Sequence, residues 1–241
     1  MPQHLPPTLV AGSLTVAASD YSAPPMSFLH DGEHCGYEPD LQRLICNKLG
    51  LELLRRNLPM ADYYQSVIKR ECDVVWFNQA ITPERSQLVD FTQPYGLFDE
   101  AVLVKQSAPI FSPSDLSGRR LGGLADSTNL ELGKTFGDVI IVPYPGSDNV
   151  LPEMLNALRS GEIDALIDDE LVLVSAAEAD PDLRIAFTVP TRVPFGIGVH
   201  KENPTLLSAL NSALKEAIAD GSLAQIWQKW IPHKPFPLVA T

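Results

Sequence analysis

No stretch of this chain is apolar for long enough to cross a membrane as a helix. Its longest apolar runs, such as Leu171-Val172-Leu173-Val174, fall far short of the roughly 20 residues required. Basic residues are scarce: 18 Lys and Arg stand against 30 Asp and Glu, a formal net charge of −12. That balance speaks against nucleic acid and anionic membrane surfaces as partners, because both reward basic patches. The acidic residues are spread along the chain, not gathered into a tail, so they favour solubility and say little else. Cysteine is scarce as well. Cys35, Cys46 and Cys72 cannot all pair with one another, include no C-x-x-C and lack the spacing of zinc ligands. Buried thiols are the expectation, with one disulfide plus a free thiol as the alternative.

Several signatures of catalysis and cofactor binding are missing too. There is no Gly-rich phosphate loop, no nucleophile elbow and no H-E-x-x-H helix, and Leu121-Gly122-Gly123-Leu124 is too short for a dinucleotide fingerprint. No cofactor is expected. His30 and His34 near Cys35 come closest to a metal cluster, but no fourth ligand accompanies them, so no metal is expected either. The opening residues Met1-Pro2-Gln3-His4-Leu5-Pro6-Pro7 carry neither the basic nor the apolar segment of a signal peptide. The chain is therefore expected to be cytoplasmic or to have lost a leader.

What is present reads as a soluble α/β protein. Hydrophobic residues make up 45% and charged residues 20%, enough apolar material to fill a core without a disulfide framework. Residues 1–13, rich in Pro and polar groups, read as a disordered leader. Strands are then expected at 14–18, 51–55, 72–77, 120–124, 139–142, 164–167 and 184–189. Leu41, Leu44, Ile45 and Leu49 share one helical face that Gly50 stops. Tyr64, Val67 and Ile68 mark another helix, and Thr82-Pro83 is an N-cap followed by Pro at the first helical position. Further helices are expected at 128–136, 150–159 and 170–178. Two more follow at the end, where Trp227 and Trp230 read as core. The stretch leading to Asp73 echoes the one leading to Asp164: a helix end, a polar turn, an Asp, then a buried strand. Two similar α/β lobes would give this echo, as would two units of one sheet.

In mostly parallel sheets, ligands sit beyond the carboxyl ends of the strands. Asp20, the turn Asn78–Arg85, Ser127-Thr128 and Asp168-Asp169 all follow expected strands. A free amino acid wants an Arg fork and backbone N–H donors for its carboxylate, and one or two carboxylates for its ammonium. Each kind of group is here. Each also has a plain structural reading: Arg85 on a capped helix, Thr128-x-x-Glu131 as a capping box, Asp168-Asp169 as a solvated strand end, Asp20 as a turn residue. Trp76, Phe77, Tyr63, Tyr64, Tyr95 and Phe195 could wall a pocket or fill a core.

The segment Ala80-Ile81-Thr82-Pro83-Glu84-Arg85-Ser86-Gln87-Leu88-Val89-Asp90-Phe91-Thr92-Gln93-Pro94-Tyr95 resembles the S-I-T-P-E-R-x-x-x-V-D-F-S-x-P-Y of family 3 solute-binding proteins, the polar amino-acid-binding proteins of bacterial ABC importers. Weaker similarities are Gly36-Tyr37-Glu38-Pro39-Asp40-Leu41, Gly161-Glu162-Ile163-Asp164-Ala165, Pro194-Phe195-Gly196-Ile197-Gly198-Val199 and the tail Asp220–Trp230. Together they run from about Leu14 to Pro232. The resemblance implies a type II periplasmic-binding-protein fold, with two α/β lobes joined by two hinge strands. Lobe 1 would be 14–102 plus 193–241, lobe 2 106–189, and the hinges about 100–106 and 189–199.

By position, Arg85 matches the family's carboxylate-binding Arg, Asn78 and Ala80 its first-lobe turn, and Ser127 and Thr128 its second-lobe donors. Asp169 matches the ammonium-binding residue and Asp20 its first-lobe partner. Phe77 and Tyr21 are the expected side-chain pocket. The departures lie in that pocket: Ala23 stands where an aromatic precedes Pro-Pro, and Asn78-Gln79-Ala80 replaces Gly-x-Ser/Thr. The implied function is capture of an L-amino acid by hinge closure and its delivery to a membrane ABC permease, by a monomer outside the cytoplasm. The alternatives are a receptor's sensor domain or a cyclohexadienyl-dehydratase-like enzyme, for which Glu170 or Asp168 would be the acid.

Overall fold

The computed structural model describes residues 5–238. Strand β1 (Ser13–Ala18) is followed by the two-stranded sheet of β2 (Phe28–His30) and β3 (Glu33–Cys35), helix α1 (Tyr37–Leu49) and β4 (Glu52–Asn57). Then come α2 (Tyr63–Ile68), β5 (Val74–Val75), α3 (Pro83–Leu88) and β6 (Asp90–Phe91). A long strand, β7 (Gly96–Lys105), leads to β8 (Arg120–Leu124), α4 (Thr128–Gly133) and β9 (Ile140–Tyr144). Next are α5 (Val150–Ser160), β10 (Ala165–Asp169) and α6 (Glu170–Ala179). A second long strand, β11 (Leu183–Phe195), precedes β12 (Gly198–Val199), α7 (Pro204–Ala219) and α8 (Ser222–Trp230).

These elements divide into two compact units. Unit 1 holds the chain up to Asp20, Leu29–Leu97 and everything from Val193 onward; unit 2 holds Tyr21–Phe28 and Phe98–Arg192. The unit boundaries fall inside β7 and β11, and the short Tyr21–Phe28 segment, unlike its neighbours in sequence, belongs with unit 2.

Unit 1 is built on a five-stranded sheet of order β4-β1-β5-β12-β6. Every residue of β1 is buried, as befits a strand paired in parallel with β4 and β5 and covered on both faces. Gly50, at φ 67°, ends α1 in the left-handed conformation that its sequence position suggested. Helix α1 packs on α7 and α8, where Trp227 meets Tyr37 edge-on with ring centroids 5.4 Å apart. Trp230 differs from the core role expected of it. It is only half-buried, and its indole N–H donates to Asp40 Oδ2 (2.7 Å), which Lys229 also reaches at 2.7 Å.

Unit 2 carries the second five-stranded sheet, of order β11-β7-β10-β8-β9. Val102 and Val104 of β7, Leu121 of β8, Ile167 of β10 and Leu130 of α4 form the heart of its core. Helix α5 turns Val150, Leu151, Met154, Ala157 and Leu158 inward, the i, i+3, i+4, i+7 pattern of a buried stripe, and stops at Gly161 in the left-handed region.

The echo between the two halves has a physical basis. In unit 1, Asp73 donates its N–H to the Thr15 carbonyl (2.9 Å) while its carboxylate accepts the Thr15 N–H (2.8 Å). In unit 2, Asp164 donates its N–H to the Arg120 carbonyl (2.9 Å) and accepts the Arg120 N–H (2.8 Å). Each Asp thus pins the neighbouring strand at the point where a helix gives way to the sheet.

Two expectations need correction. The leader is not free over its described part: Leu9 donates to Asp73 Oδ1 (2.8 Å), the Pro7 carbonyl accepts from Asn203 (3.0 Å), and the Gly12 carbonyl accepts from Glu52 (2.9 Å). Residues 1–4 lie outside the described residues. The strand expected at 72–77 shrinks to Val74–Val75, because the chain leaves the sheet early to build the turn described next. All three cysteines are free; Cys46 and Cys72 are buried and Cys35 is partly exposed.

Candidate functional site

In unit 1 the turn after β5 and the start of α3 bring several of the expected residues together. Thr82 caps α3 by accepting the Arg85 N–H on its hydroxyl (3.2 Å), with Pro83 at the first helical position. This places Arg85 in the first turn, its guanidinium folded back so that Nη1 donates to the Ala80 carbonyl (3.2 Å). The guanidinium carbon also lies 5.8 Å from the centre of the Tyr64 ring. Tyr64 is anchored in turn by donating its hydroxyl to Gln79 Oε1 (2.6 Å), and burial pushes its pKa to about 12, so it stays neutral. One guanidinium nitrogen is committed to the turn. The remaining N–H donors of that fork are the ones able to take a carboxylate.

Ala80 is buried opposite Phe195. The hydrogen bonds flanking that pair, Ile81 N–H to the Pro194 carbonyl (2.8 Å) and Gly196 N–H to the Gln79 carbonyl (3.0 Å), make it a non-hydrogen-bonded pair. The Ala80 N–H therefore points away from the Phe195 strand, as a donor to something else must. Asn78 sits at φ 49°, in the left-handed region, and donates its N–H to the buried carboxylate of Glu38 (3.3 Å). That carboxylate also accepts the Tyr95 hydroxyl.

Asp20 lies just beyond β1, where its Oδ2 accepts from Asn57 (2.8 Å) and its Oδ1 lies 3.5 Å from His34 Nε2. Burial and the Arg55 charge lower the pKa of His34, which favours its neutral form. Phe77, an expected pocket wall, is packed edge-on against Tyr63 and almost wholly buried.

In unit 2 the start of α4 and the end of β10 meet. Ser127 is the N-cap: its hydroxyl accepts the Leu130 N–H (3.1 Å) and donates to the Leu124 carbonyl (2.7 Å). The capping box expected between Thr128 and Glu131 does not form, because Ser127 takes the cap and Glu131 pairs with Lys134. The Ser127 proton is thus committed to its own turn. What this helix start offers a ligand is the N–H groups of its first residues, which have no intrahelical acceptor, and the Thr128 hydroxyl, now on Asn129 Oδ1 (3.2 Å).

Asn129 is the residue that sequence reasoning missed. Its side-chain amide donates to Asp168 Oδ1 (3.0 Å) and Asp169 Oδ1 (3.3 Å), binding the two carboxylates into one buried cluster. Its place inside an apparent capping motif hid this. Asp168 and Asp169 are 7% and 8% exposed, which rules out a solvated strand end. Burial lifts Asp168 to a pKa of about 6, against the pull of the Asp169 N–H and the Asn129 amide. Glu100, opposite Asp169 across β7 and β10, is raised by burial as well. This region is rich in carboxyl groups, an environment that favours an incoming ammonium. Tyr21 is buried within unit 2. Among the described residues no set of three metal-ligating side chains is assembled.

A sequence profile of bacterial extracellular solute-binding proteins, family 3, matches residues 14–233. The chain belongs to that family. It is 29% identical over 209 residues to ABC transporter arginine-binding protein 1 of Escherichia coli (strain K12), covering 84% of each chain. Among solved structures, an ancestral arginine-binding protein bound to arginine superposes with a TM-score of 0.84 at 30% identity, covering 91% of this chain and 98% of that one. The ancestral amino acid-binding protein AncCDT-1, a precursor of cyclohexadienyl dehydratase, superposes with a TM-score of 0.80 at 26% identity, covering 91% of this chain and 95% of that one. These likenesses carry the type II periplasmic binding fold to this chain.

Proposed function

We propose that this family 3 protein binds an L-α-amino acid and hands it to the membrane permease of an ABC importer, working as a monomer outside the cytoplasmic membrane. The observation that carries the reading is the division of charge. Unit 1 offers the Arg85 guanidinium and the Ala80 N–H to a carboxylate; unit 2 offers the buried Asp168–Asn129–Asp169 cluster to an ammonium. A zwitterion needs both, and neither a dicarboxylate nor a sugar acid would satisfy the second. Asp20 takes the smaller part in this scheme, since Asn57 and His34 already occupy its oxygens. Binding without turnover is the reading because the relatives this chain resembles over most of its length are amino-acid-binding proteins.

A thermal-shift screen against the twenty L-amino acids, with their des-amino and des-carboxy analogues, tests this. A cognate ligand at 100 times its Kd adds about 2.7 kcal/mol to stability, and both analogues are expected to lose most of that gain. A dicarboxylate or sugar acid that stabilises as much as the best amino acid would overturn the substrate class.

A further inference from the structure

Glu38 is wholly buried, yet it is not one of the residues proposed to touch a ligand. It stands on α1 one turn before Gln42, so the two side chains share a face. Both reach the same turn. Gln42 donates to the Trp76 carbonyl (2.9 Å), and Glu38 Oε1 accepts the Asn78 N–H (3.3 Å) and the Tyr95 hydroxyl. The far side of Gln42 accepts from Arg55 Nη1 (2.6 Å), whose Nη2 donates to the Ser19 carbonyl just before Asp20 (3.3 Å). One helix face thus grips the turn at residues 76 and 78, and through Arg55 it grips the end of β1.

We infer that Glu38 is a positioning residue for carboxylate binding: by holding the Asn78 N–H it sets the left-handed turn that aims the Ala80 N–H and the Arg85 guanidinium. The inference rests on the amino-acid reading above. An Asn enters the left-handed region more readily than most residues, and the anionic acceptor fixes its N–H in that conformation. Two oxygens on the same path, Glu38 Oε2 and Asn78 Oδ1, are buried without a hydrogen-bond partner, as is the Trp76 Nε1 nitrogen. The turn is held on either side of Asn78, at the Trp76 and Gln79 carbonyls, and the Glu38 carboxylate is what holds the Asn78 N–H itself. Charge state matters accordingly. The groups facing Glu38 are Tyr95 and Asn78 by hydrogen bond, the Arg55 guanidinium and the neighbouring Tyr37, and burial outweighs them, raising the carboxyl to about 7. As the pH falls through that value the carboxylate gains a proton, and its grip on the N–H weakens.

The test is the ratio of the cognate amino acid's Kd in Glu38→Gln to that in the wild type, measured by calorimetry from pH 8.5 to 5.5. The ratio cancels the titration of Asp168, which both proteins share. It is expected to be about tenfold at pH 8.5, the size of one lost charge-assisted hydrogen bond, and to approach one at pH 5.5, where wild-type Glu38 is itself neutral. A ratio near one at pH 8.5, or one that does not change with pH, overturns the inference; the second outcome would mark a merely structural role. Tyr95→Phe covers the case in which Glu38→Gln does not fold. Losing the hydroxyl donor should move the midpoint of the wild-type pH dependence upward, and an unmoved midpoint also overturns it. Hydrogen exchange over residues 76–85 reads the same hold without a ligand and should quicken in Glu38→Gln at pH 8.5. A wild type that binds no amino acid would therefore sink the functional reading and leave this hold testable.

Discussion

At Arg85 the backbone and the side chain are secured separately, the first by the Thr82 cap and the second by the Ala80 carbonyl. Truncation should therefore remove ligand binding without loosening the helix. Arg85→Ala is expected to weaken amino-acid binding by about 2–5 kcal/mol, the range for breaking a buried hydrogen-bonded charge pair, while calorimetric unfolding of the ligand-free protein stays within about 0.5 kcal/mol. An unchanged Kd would reduce Arg85 to a helix residue. Asp168 gives the converse case, in which a site residue costs stability. In the unfolded chain its carboxyl has the ordinary value near 3.9, but in the fold burial holds it at about 6. The folded protein therefore binds the proton more tightly, so stability falls as pH rises from about 4 to 6, and the whole cost is present above 6. Asp168→Asn keeps one acceptor for the Asp169 N–H and places an amide beside acidic neighbours. It should raise unfolding free energy at pH 8 by on the order of 1–3 kcal/mol, with the gain fading below pH 4. A gain that is the same at pH 4 and pH 8 would show that the carboxyl is not the origin of the cost.

The Asp residues at the two helix-to-strand junctions make a prediction at the scale of elements. Asp73 accepts the Thr15 N–H, the Thr15 hydroxyl and the Leu9 N–H and is buried, whereas Asp164 holds Arg120 at a half-exposed site. Removing the acceptor strands a buried backbone donor and the buried Thr15 hydroxyl, with a partly exposed donor at Leu9, in the first case, and one partly hydrated donor in the second. Asp73→Ala should therefore cost about 3–5 kcal/mol and Asp164→Ala about 1–2 kcal/mol by urea unfolding; equal losses would mean the junctions are not carried by these carboxylates. Elements of this kind were legible in the sequence. Apolar periodicity found α1, and Gly50 marked its end, because those signals are local. The turn after Val75 was legible as a candidate, but what supports it was not. What shapes it is Glu38, 40 residues away, just as Asn129 meets Asp168 across 39 residues. Trp230 was misjudged for a related reason: an aromatic residue at an apolar position does not say which partner claims it until the packing is known.

For the molecule as a whole, the proposed function makes a claim that no single residue tests: one ligand must draw on both units. If it does, each unit reports the same binding event. Hydrogen exchange should slow on ligand addition at residues 78–85 in unit 1 and at 127–130 and 168–170 in unit 2, and the two sets should share one concentration midpoint. The single-residue variants then become a test of linkage. Arg85→Ala should move the midpoint in unit 2 as far as in unit 1, and Asp169→Asn should move the midpoint in unit 1 as far as in unit 2, since a coupling free energy is reciprocal. With a loss of about 3 kcal/mol, near the middle of the expected range, both midpoints shift by roughly two decades. Protection confined to one unit, or midpoints that part company in either variant, would mean that the two half-sites serve different ligands or that one serves none. In that event the buried Asp168–Asn129–Asp169 cluster would need another occupant, and its excess of carboxyl groups still names the class: a cation, with or without a carboxylate of its own.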